Sequence, residues 1–156
     1  MAKDIIDEGR KLAKKGNCPL MYEWHGKKYW GAAHGLAGIM HVLMHTELKL
    51  DEKDDVKNTL LYMIRNRYPT GNYPSSEGSE SDRLVHWCHG APGVALTLAK
   101  AYQVTAYITS LKCVHMFIQS IYVYLSWWLC NMHTWCSFVF CINKNVSDLT
   151  SCEILG

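Results

Sequence analysis

The sequence predicts an all-α fold, and three observations lead to this prediction. Apolar residues recur at helical spacing in several segments, and clusters of Gly, Pro, Asn and Ser separate those segments. A His-Gly-x-x-Gly pattern followed by an aliphatic residue begins at His34 and again at His89, 55 positions later. A repeat of this length is typical of arrays of helical units. We therefore expect short helices, two of which are related by the repeat.

The first part of the chain predicts two helices joined by an ordered loop. Residues 2–15 have apolar side chains on one side and charged side chains on the other, as in an amphipathic helix. Residues 18–30 are rich in aromatic side chains and lack helical spacing, which favours an ordered loop. A second helix opens at Gly35, and its inner positions follow the i, i+3, i+4, i+7, i+8 rule: Leu36, Ile39, Met40, Leu43 and Met44.

Two further helices are predicted after residue 50. Asp51 is the expected N-cap of the third helix, because its carboxylate can accept hydrogen bonds from the free amides of the first turn. Residues 69–82 contain Gly, Pro and Ser throughout and predict a long surface loop. The fourth helix is expected to begin at Pro92, whose missing N–H is not needed in a first helical turn. The inner positions of the third helix are Val56, Leu60, Met63 and Ile64.

Composition divides the 156-residue chain into two regimes near Val104. Of the 30 charged residues, 26 lie in the first 103 positions, whereas five of the seven cysteines come later. The predicted organisation is a helical domain over residues 1–103 and a divergent tail over residues 104–156. Residues 113–143 contain no Asp, Glu, Lys or Arg. Three interpretations of the tail stay open: a membrane-spanning helix, a buried pair of helices, and a non-native tail produced by read-through or a change of frame.

The net charge bears on which partners the protein binds, and the N-terminal residues bear on its cellular location. A formal charge of +2 with dispersed Lys and Arg gives no indication of a nucleic-acid partner. The first residues do not form a cleavable signal, so the cytoplasm is the expected location, with possible plasma-membrane association through the tail. In that reducing compartment the cysteines are expected to be thiols or metal ligands rather than disulfides.

The segment around Cys88 is the main candidate site. Cys88 precedes His89 and a Gly-x-x-Gly helix start, and thiolate and imidazole are ligands that Zn²⁺ prefers. A single cysteine is more often a small buried apolar residue, so spacing alone leaves both interpretations open. His34 could transfer protons near neutral pH. It could equally be a structural residue packed at a helix start.

Other residues receive weaker assignments. Arg83 could hold an anionic substrate group through its guanidinium, or could simply be solvated beside Asp82. The glycines of the repeat are expected to allow close backbone approach at the helix starts. These glycines are Gly35, Gly38, Gly90 and Gly93. We assign no ligand role to the remaining histidines of the first regime, which are His25, His41, His45 and His86.

Three segments resemble a known family. They are residues 21–38 (MYEWHGKKYWGAAHGLAG), the tripeptide Ser75-Ser76-Glu77, and residues 82–90 (DRLVHWCHG). Together they resemble eukaryotic lanthionine synthetase C-like (LanC-like) proteins, most closely the plant members. The resemblance covers about residues 18–103, the middle of a family chain several hundred residues long, so the chain is interpreted as a truncated member.

The resemblance implies a partial α/α toroid, in which helix pairs form two concentric rings around a zinc site. It implies that Cys88 is a zinc ligand, that His34 is the acid/base beside the zinc, and that His89 is a structural neighbour. The family's later Cys-His ligand pair is missing, and Cys113-Val114-His115 does not have the spacing to replace it. We therefore expect an incomplete zinc site and an inactive cyclase.

The resemblance also implies a reaction and its partners. Family members are expected to add a thiol, from a peptide cysteine or from glutathione, to a dehydroamino-acid peptide to form a thioether. Two rival functions belong to other classes. One is a non-catalytic, membrane-associated signalling or interaction protein, and the other is a glutathione-binding protein without turnover.

Overall fold

The computed structural model describes residues 1–14 and 16–104, and these residues form four helices in chain order. Helix α1 spans Ala2–Ala13, α2 spans Leu36–Leu43, α3 spans Leu50–Arg65 and α4 spans Ala91–Gln103. Within these two ranges the backbone forms no strand, and its β-type pairing is limited to isolated bridges. The all-α class predicted from the sequence is confirmed. The expectations about the tail lie outside the described residues.

The hydrophobic core lies where α2 meets α3 and α4. The predicted inner stripe of α2 is buried except for Ile39, which is half-buried, and the predicted stripe of α3 is buried throughout. On α4 the buried side chains include Val94 and Leu98. Each fully buried side chain of this size stabilises the fold by roughly 1.5–3 kcal/mol relative to the exposed state. The apolar periodicity therefore identified the core correctly.

Helix α3 begins two residues earlier than expected, and Asp51 is not its N-cap. The flanking residue is Lys49, whose backbone N–H donates to the carboxylate of Glu52 at 2.8 Å. Asp51 lies inside the first turn and accepts a hydrogen bond from Arg10 of α1 at 2.9 Å. Arg10 also donates to Asp55, with an Nε to Oδ2 distance of 2.6 Å. The guanidinium therefore tethers α1 to α3, a role that the pattern around Asp51 does not reveal.

The prediction of a surface loop over residues 69–82 is correct only in part. The segment contains no helix or strand, yet Asn72 and Tyr73 are 1% and 2% exposed. The Asn72 side chain donates to Asp82 at 2.8 Å and to the carbonyl of Leu84 at 3.1 Å. A buried amide is stable only when its polar atoms find partners. The loop therefore folds inward around Asn72 instead of remaining on the surface.

Helix bounds near the other turns differ by small amounts from the predictions. Helix α1 ends at Ala13 rather than at residue 15, and α4 begins at Ala91 rather than at Pro92. The longest described helix, α3, has 16 residues. In the ranges 1–14 and 16–104, no helix has both the length and the apolar character that crossing a bilayer requires.

Candidate functional site

The two copies of the His-Gly-x-x-Gly repeat form the starts of two packed helices. Gly35 flanks α2 and Gly90 flanks α4, and the two helices contact each other directly. The hydroxyl of Thr97 on α4 donates to the carbonyl of Ala37 on α2 at 3.0 Å, which joins the helices inside the core. The two copies of the repeat therefore form the N-terminal ends of two helices that pack against each other.

Close backbone approach at Gly31 places the Cys88 segment beside the start of α2. A Cβ atom on Gly31 would overlap the carbonyl oxygen of Cys88 and would lie 3.1 Å from the Cα of His89. A side chain cannot fit there without moving one of the two segments. Gly31 is not one of the four glycines that the repeat identified, and it is the residue that lets His89 reach the first copy.

The predicted glycines all lie in crowded positions. At Gly93 a Cβ would overlap the carbonyl oxygen of Trp87, and at Gly38 it would overlap that of Ala32. At Gly35 it would lie 2.5 Å from the carbonyl carbon of Tyr29. Gly90 additionally has a φ of 106°, a left-handed conformation that an L side chain rarely adopts. Each of the four positions therefore requires glycine for steric reasons.

His34 lies in a cluster of four aromatic rings. Its centroid is 4.5 Å from that of Tyr29, in an edge-to-face arrangement, and 4.9 Å from that of Trp24. The ring of His89 is 5.1 Å from that of His34, also edge to face. Tyr29 lies 5.8 Å from His89 and so borders both imidazoles. We name these four residues, Trp24, Tyr29, His34 and His89, the ring cluster.

The environment of His89 favours its neutral form. Burial lowers the pKa of His89, and the positive charges that His34 and His86 can carry lower it further. Its Nδ1 atom is buried and has no hydrogen-bond partner among the described residues. An unpaired imidazole nitrogen beside a second imidazole can accept or donate a proton when a ligand brings a polar group to it.

A pocket of about 650 Å³ adjoins His34 on the side of α1. Apolar side chains of α1 and α2 make up most of its wall, and Asp4 and Glu8 are its acidic residues. This volume is in the usual range for small-molecule sites, roughly 300–1,000 Å³. His34, the member of the ring cluster that lines this pocket, therefore borders a space that a ligand could enter.

Cys88 is a free thiol of intermediate exposure. Among residues 1–14 and 16–104, no group of three or more His, Cys, Asp or Glu side chains is arranged to hold a metal ion. Structural zinc sites in proteins have four protein ligands and catalytic zinc sites have three. The described donors around Cys88 therefore do not make a zinc site. Cys18, the second described cysteine, is buried, and burial raises its pKa to about 11.

Arg83 lies on the surface, in the loop that leads to Cys88. Its neighbour Asp82 is not free: it accepts hydrogen bonds from Thr70 at 2.5 Å and from Asn72 at 2.8 Å. The structure therefore shows Asp82 as an internal anchor of this loop. It does not bring Arg83 into the ring cluster.

Asn72 caps α4 from a distance. Its Oδ1 atom accepts a hydrogen bond from the N–H of Ala91, the first residue of α4, at 2.8 Å. The helix start that follows Cys88 is thus fixed by a residue 19 positions earlier in the chain. The sequence signal that could have found it is an Asn after Gly71 in a loop, and this signal alone is too common to identify a cap.

Glu77 connects the second resembling segment, Ser75-Ser76-Glu77, to the core. Its carboxylate accepts a hydrogen bond from the indole N–H of Trp30 at 2.9 Å and one from the hydroxyl of Tyr62 at 2.6 Å. Backbone bonds from Trp30 to Ser75 and from Glu77 to Lys28 pair the two segments. Glu77 therefore holds the loop that carries Tyr29 and Trp30 in place beside the ring cluster.

Comparisons with known proteins define the class of this chain. Residues 1–137 match the family model described as Lanthionine synthetase C-like protein. The chain belongs to this family, which confirms the resemblance noted in residues 18–103.

Two relatives show which members it is similar to. LanC-like protein GCL1 of Arabidopsis thaliana is 58% identical over 88 residues, which cover 56% of this chain and 20% of that relative. Glutathione S-transferase LANCL1 of Danio rerio is 40% identical over 107 residues, which cover 64% of this chain and 26% of that relative. The chain spans about a fifth to a quarter of the length of these relatives.

Proposed function

We propose that the ring cluster is the proton-transfer part of a site that adds a thiol to a dehydroamino-acid residue. The observation that supports this most directly is the contact between His34 and His89, two imidazoles from the two repeat copies. His34 also lines a ligand-sized pocket. Membership of the LanC-like family and the word glutathione in the name of the Danio rerio relative support the thiol substrate class.

The proposed step uses only the chain's own residues. His34 accepts the proton of the incoming thiol, and the thiolate sulfur forms a bond to the β-carbon of the dehydroamino acid. The electron pair of the carbon–carbon double bond moves to the adjacent carbonyl and gives an enolate. The imidazolium of His34 then returns the proton to the α-carbon, so atoms and electrons balance and His34 is regenerated.

His89 supports this step through its charge state. Because its pKa is lowered, His89 is neutral when His34 takes up the proton, and two adjacent positive charges are avoided. The apolar wall of the pocket suits the flat, uncharged dehydroamino-acid side chain better than the charged ends of a peptide. Arg83 is left without a role in this step, because it lies on the surface outside the ring cluster.

Zinc is expected from the family, with Cys88 as a ligand, but the described donors do not complete a set and no step above uses a metal. Zinc per chain, measured on the wild type and on Cys88→Ser after gel filtration, tests this separately. We expect well below one zinc per chain in both proteins. Near-stoichiometric zinc that Cys88→Ser loses would mean that residues outside the described ranges complete the site.

The test of the proposed function is thioether formation between glutathione and a dehydroalanine peptide, followed by mass spectrometry with the full chain. In contrast to the inactive cyclase that the missing Cys-His pair predicts, this proposal expects a rate above the buffer reaction. The rate should fall at least tenfold in His34→Asn and be unchanged in the surface variant His86→Asn. Equal rates in the wild type and His34→Asn would refute the role of His34. Glutathione binding by calorimetry without any product would support the rival function, a glutathione-binding protein.

A further inference from the structure

A second pair of histidines lies on α2, away from its N-terminal end. His41 is in the last turn of α2, and His45 follows the helix by two residues. Their ring centroids are 5.1 Å apart, with an angle of 48° between the ring planes. His41 is half-buried and His45 is exposed, so solvent reaches the pair.

The spacing of this pair is that of two metal ligands on one helical face. Residues four apart in a helix are neighbours on the surface, and His pairs at this spacing bind zinc in helical metal sites. Backbone bonds from Met44 to Met40 and from His45 to Val42 continue the helical path as far as His45. The pair is therefore set by backbone hydrogen bonds and does not depend on a flexible loop.

The observed separation agrees with the distance that a shared ion would require. With a metal–nitrogen distance of about 2.1 Å and an angle of about 90–110° at the metal, two imidazole centroids lie roughly 4.6–5.3 Å apart. The value of 5.1 Å falls in this interval. The separation of the two rings is therefore compatible with both binding one ion.

We propose that His41 and His45 form a two-histidine site for a divalent first-row transition metal ion, with water completing the coordination. The spacing of these histidines in the sequence alone gave neither of them a ligand role, and the proposal rests on the contact between their rings. Imidazole suits Zn²⁺, Cu²⁺ and Ni²⁺, and the carbonyl groups at a helix C-terminus add a favourable partial negative charge.

The surroundings define what this site can do. In the His-Glu-x-x-His motif of metalloproteases a glutamate follows the first histidine and acts as the base. Here that position is Val42, which is 56% exposed and cannot accept a proton. Lys100 of α4 lies close enough to act on His41 electrostatically and opposes a bound cation. The site is therefore a moderate-affinity binding site rather than a hydrolytic centre.

The experiment is a calorimetric titration of the full chain with Ni²⁺, which binds imidazole and is not reduced by the free thiols as Cu²⁺ would be. All proteins carry the Cys88→Ser background, so that the thiol beside the ring cluster does not contribute. We expect one Ni²⁺ per chain, and an affinity at least tenfold lower in His41→Ala and in His45→Ala. Lys100→Gln should bind several-fold more tightly.

Two controls make the outcome decisive. His86→Ala removes an exposed histidine outside the pair and should bind Ni²⁺ like the background protein. Broadening of the His41 and His45 imidazole signals by paramagnetic Ni²⁺ identifies the ligands independently of the alanine variants. Unchanged Ni²⁺ affinity in both alanine variants, or broadening confined to other histidines, would overturn the proposal. His45→Ala alters an exposed side chain, so its folding can be verified by circular dichroism.

Discussion

His34 and His89 lie edge to face with their centroids 5.1 Å apart, although 55 residues separate them in the chain. Two imidazoles at this distance interact through their charges, because a proton on one disfavours a proton on the other. Burial, together with His34 and His86, lowers the pKa of His89. The neutral form of His89 is therefore favoured beside His34.

Acid is expected to destabilise the protein through His89. Its folded-state pKa is below the unfolded value of about 6.5, so between these two values the unfolded chain binds more protons. The free energy of unfolding therefore falls as the pH decreases from about 6.5 through the folded pKa. His89→Gln should make this dependence less steep, as measured by urea unfolding at a series of pH values.

His86→Gln is the matched control for this experiment. His86 is exposed, and its backbone N–H bonds to the carbonyl of His89 independently of its ring. Removing its imidazole takes away only a minor electrostatic contribution to His89, so the pH dependence should stay close to that of the wild type. An identical slope in His89→Gln and in the wild type would contradict the prediction. The pKa of His41 is also lowered by burial, so some acid sensitivity should remain in every variant.

Gly31→Ala should destabilise the fold and disturb the ring cluster together. The added Cβ would overlap the carbonyl of Cys88, and backbone cannot yield as a flexible side chain can. Overpacking of this kind costs about 1–3 kcal/mol. Thermal or urea unfolding gives the stability, and the two-dimensional NMR spectrum shows whether the resonances of Cys88 and His89 move.

Gly16→Ala is the control for Gly31→Ala. Its Cβ would meet only the carbonyl of Ala13 at 3.8 Å, an ordinary van der Waals distance. We expect a change within about 0.5 kcal/mol, as for most surface substitutions. Equal stability of Gly31→Ala and Gly16→Ala would show that the backbones of Gly31 and Cys88 are not in close contact.

Asn72→Ala should cost about 1–3 kcal/mol, the usual effect of leaving a buried hydrogen-bonding group unpaired. The substitution removes the acceptor of the Ala91 N–H and both donors to Asp82 and Leu84. Asn66→Ala removes one exposed side-chain bond to the carbonyl of Tyr62 and should change stability by less than about 0.5 kcal/mol. Equal unfolding midpoints for the two variants would show that Asn72 does not cap α4.

The sequence predicts the helices and the core well, because both follow from local periodicity. Val56, Leu60, Met63 and Ile64 are buried as their spacing indicates, and the repeat correctly marks the starts of two helices. The assignment of Asp51 as an N-cap was wrong, because its carboxylate is used by Arg10 of another helix. An N-cap prediction uses only the residues next to the helix start, so it does not detect a hydrogen-bond partner 41 residues away.

The site is less predictable than the fold. His34 and Cys88 are recognisable from the repeat and the resemblance, but the contacts that position them come from distant residues. Tyr29 lies in a segment that the sequence predicts only as an ordered loop, and Asn72 lies in one that it predicts only as a surface loop. A residue that acts through long-range packing leaves no periodic signal in one sequence, and its role appears only when the chain is folded.

Glu77→Ala should destabilise the protein by about 1–3 kcal/mol, because it leaves the indole N–H of Trp30 without its acceptor. Trp30 is 2% exposed, but Glu77 itself is exposed, so water partly replaces the carboxylate and the expected cost is near the lower end of this range. Glu80→Ala removes an exposed carboxylate three residues later and serves as the control, with an expected change below about 0.5 kcal/mol. Urea unfolding measures the difference, and equal stability of the two variants would argue against this anchoring role.

Tyr29→Leu should displace the imidazole of His34 and leave the backbone of the loop intact. The ring of Tyr29 contacts both histidines, whereas its carbonyl holds the first residue of α2 through the N–H of Leu36 at 3.0 Å. Only the ring contact is lost in Tyr29→Leu, at a cost of about 0.5–1.5 kcal/mol for an aromatic pair. The contribution of Tyr29 to the ring-current shift of the His34 imidazole protons should disappear in the NMR spectrum, and thioether formation should fall.

Tyr29→Phe separates the ring from the hydroxyl. It keeps the edge-to-face contact with His34, so both the His34 signal and the rate should resemble those of the wild type. A loss of rate in Tyr29→Phe with an unchanged His34 signal would instead assign the hydroxyl a direct role with the substrate. If Tyr29→Leu left the His34 signal where it is in the wild type, His34 would be positioned without Tyr29, and the remaining contacts, Trp24 and His89, would be sufficient to hold it.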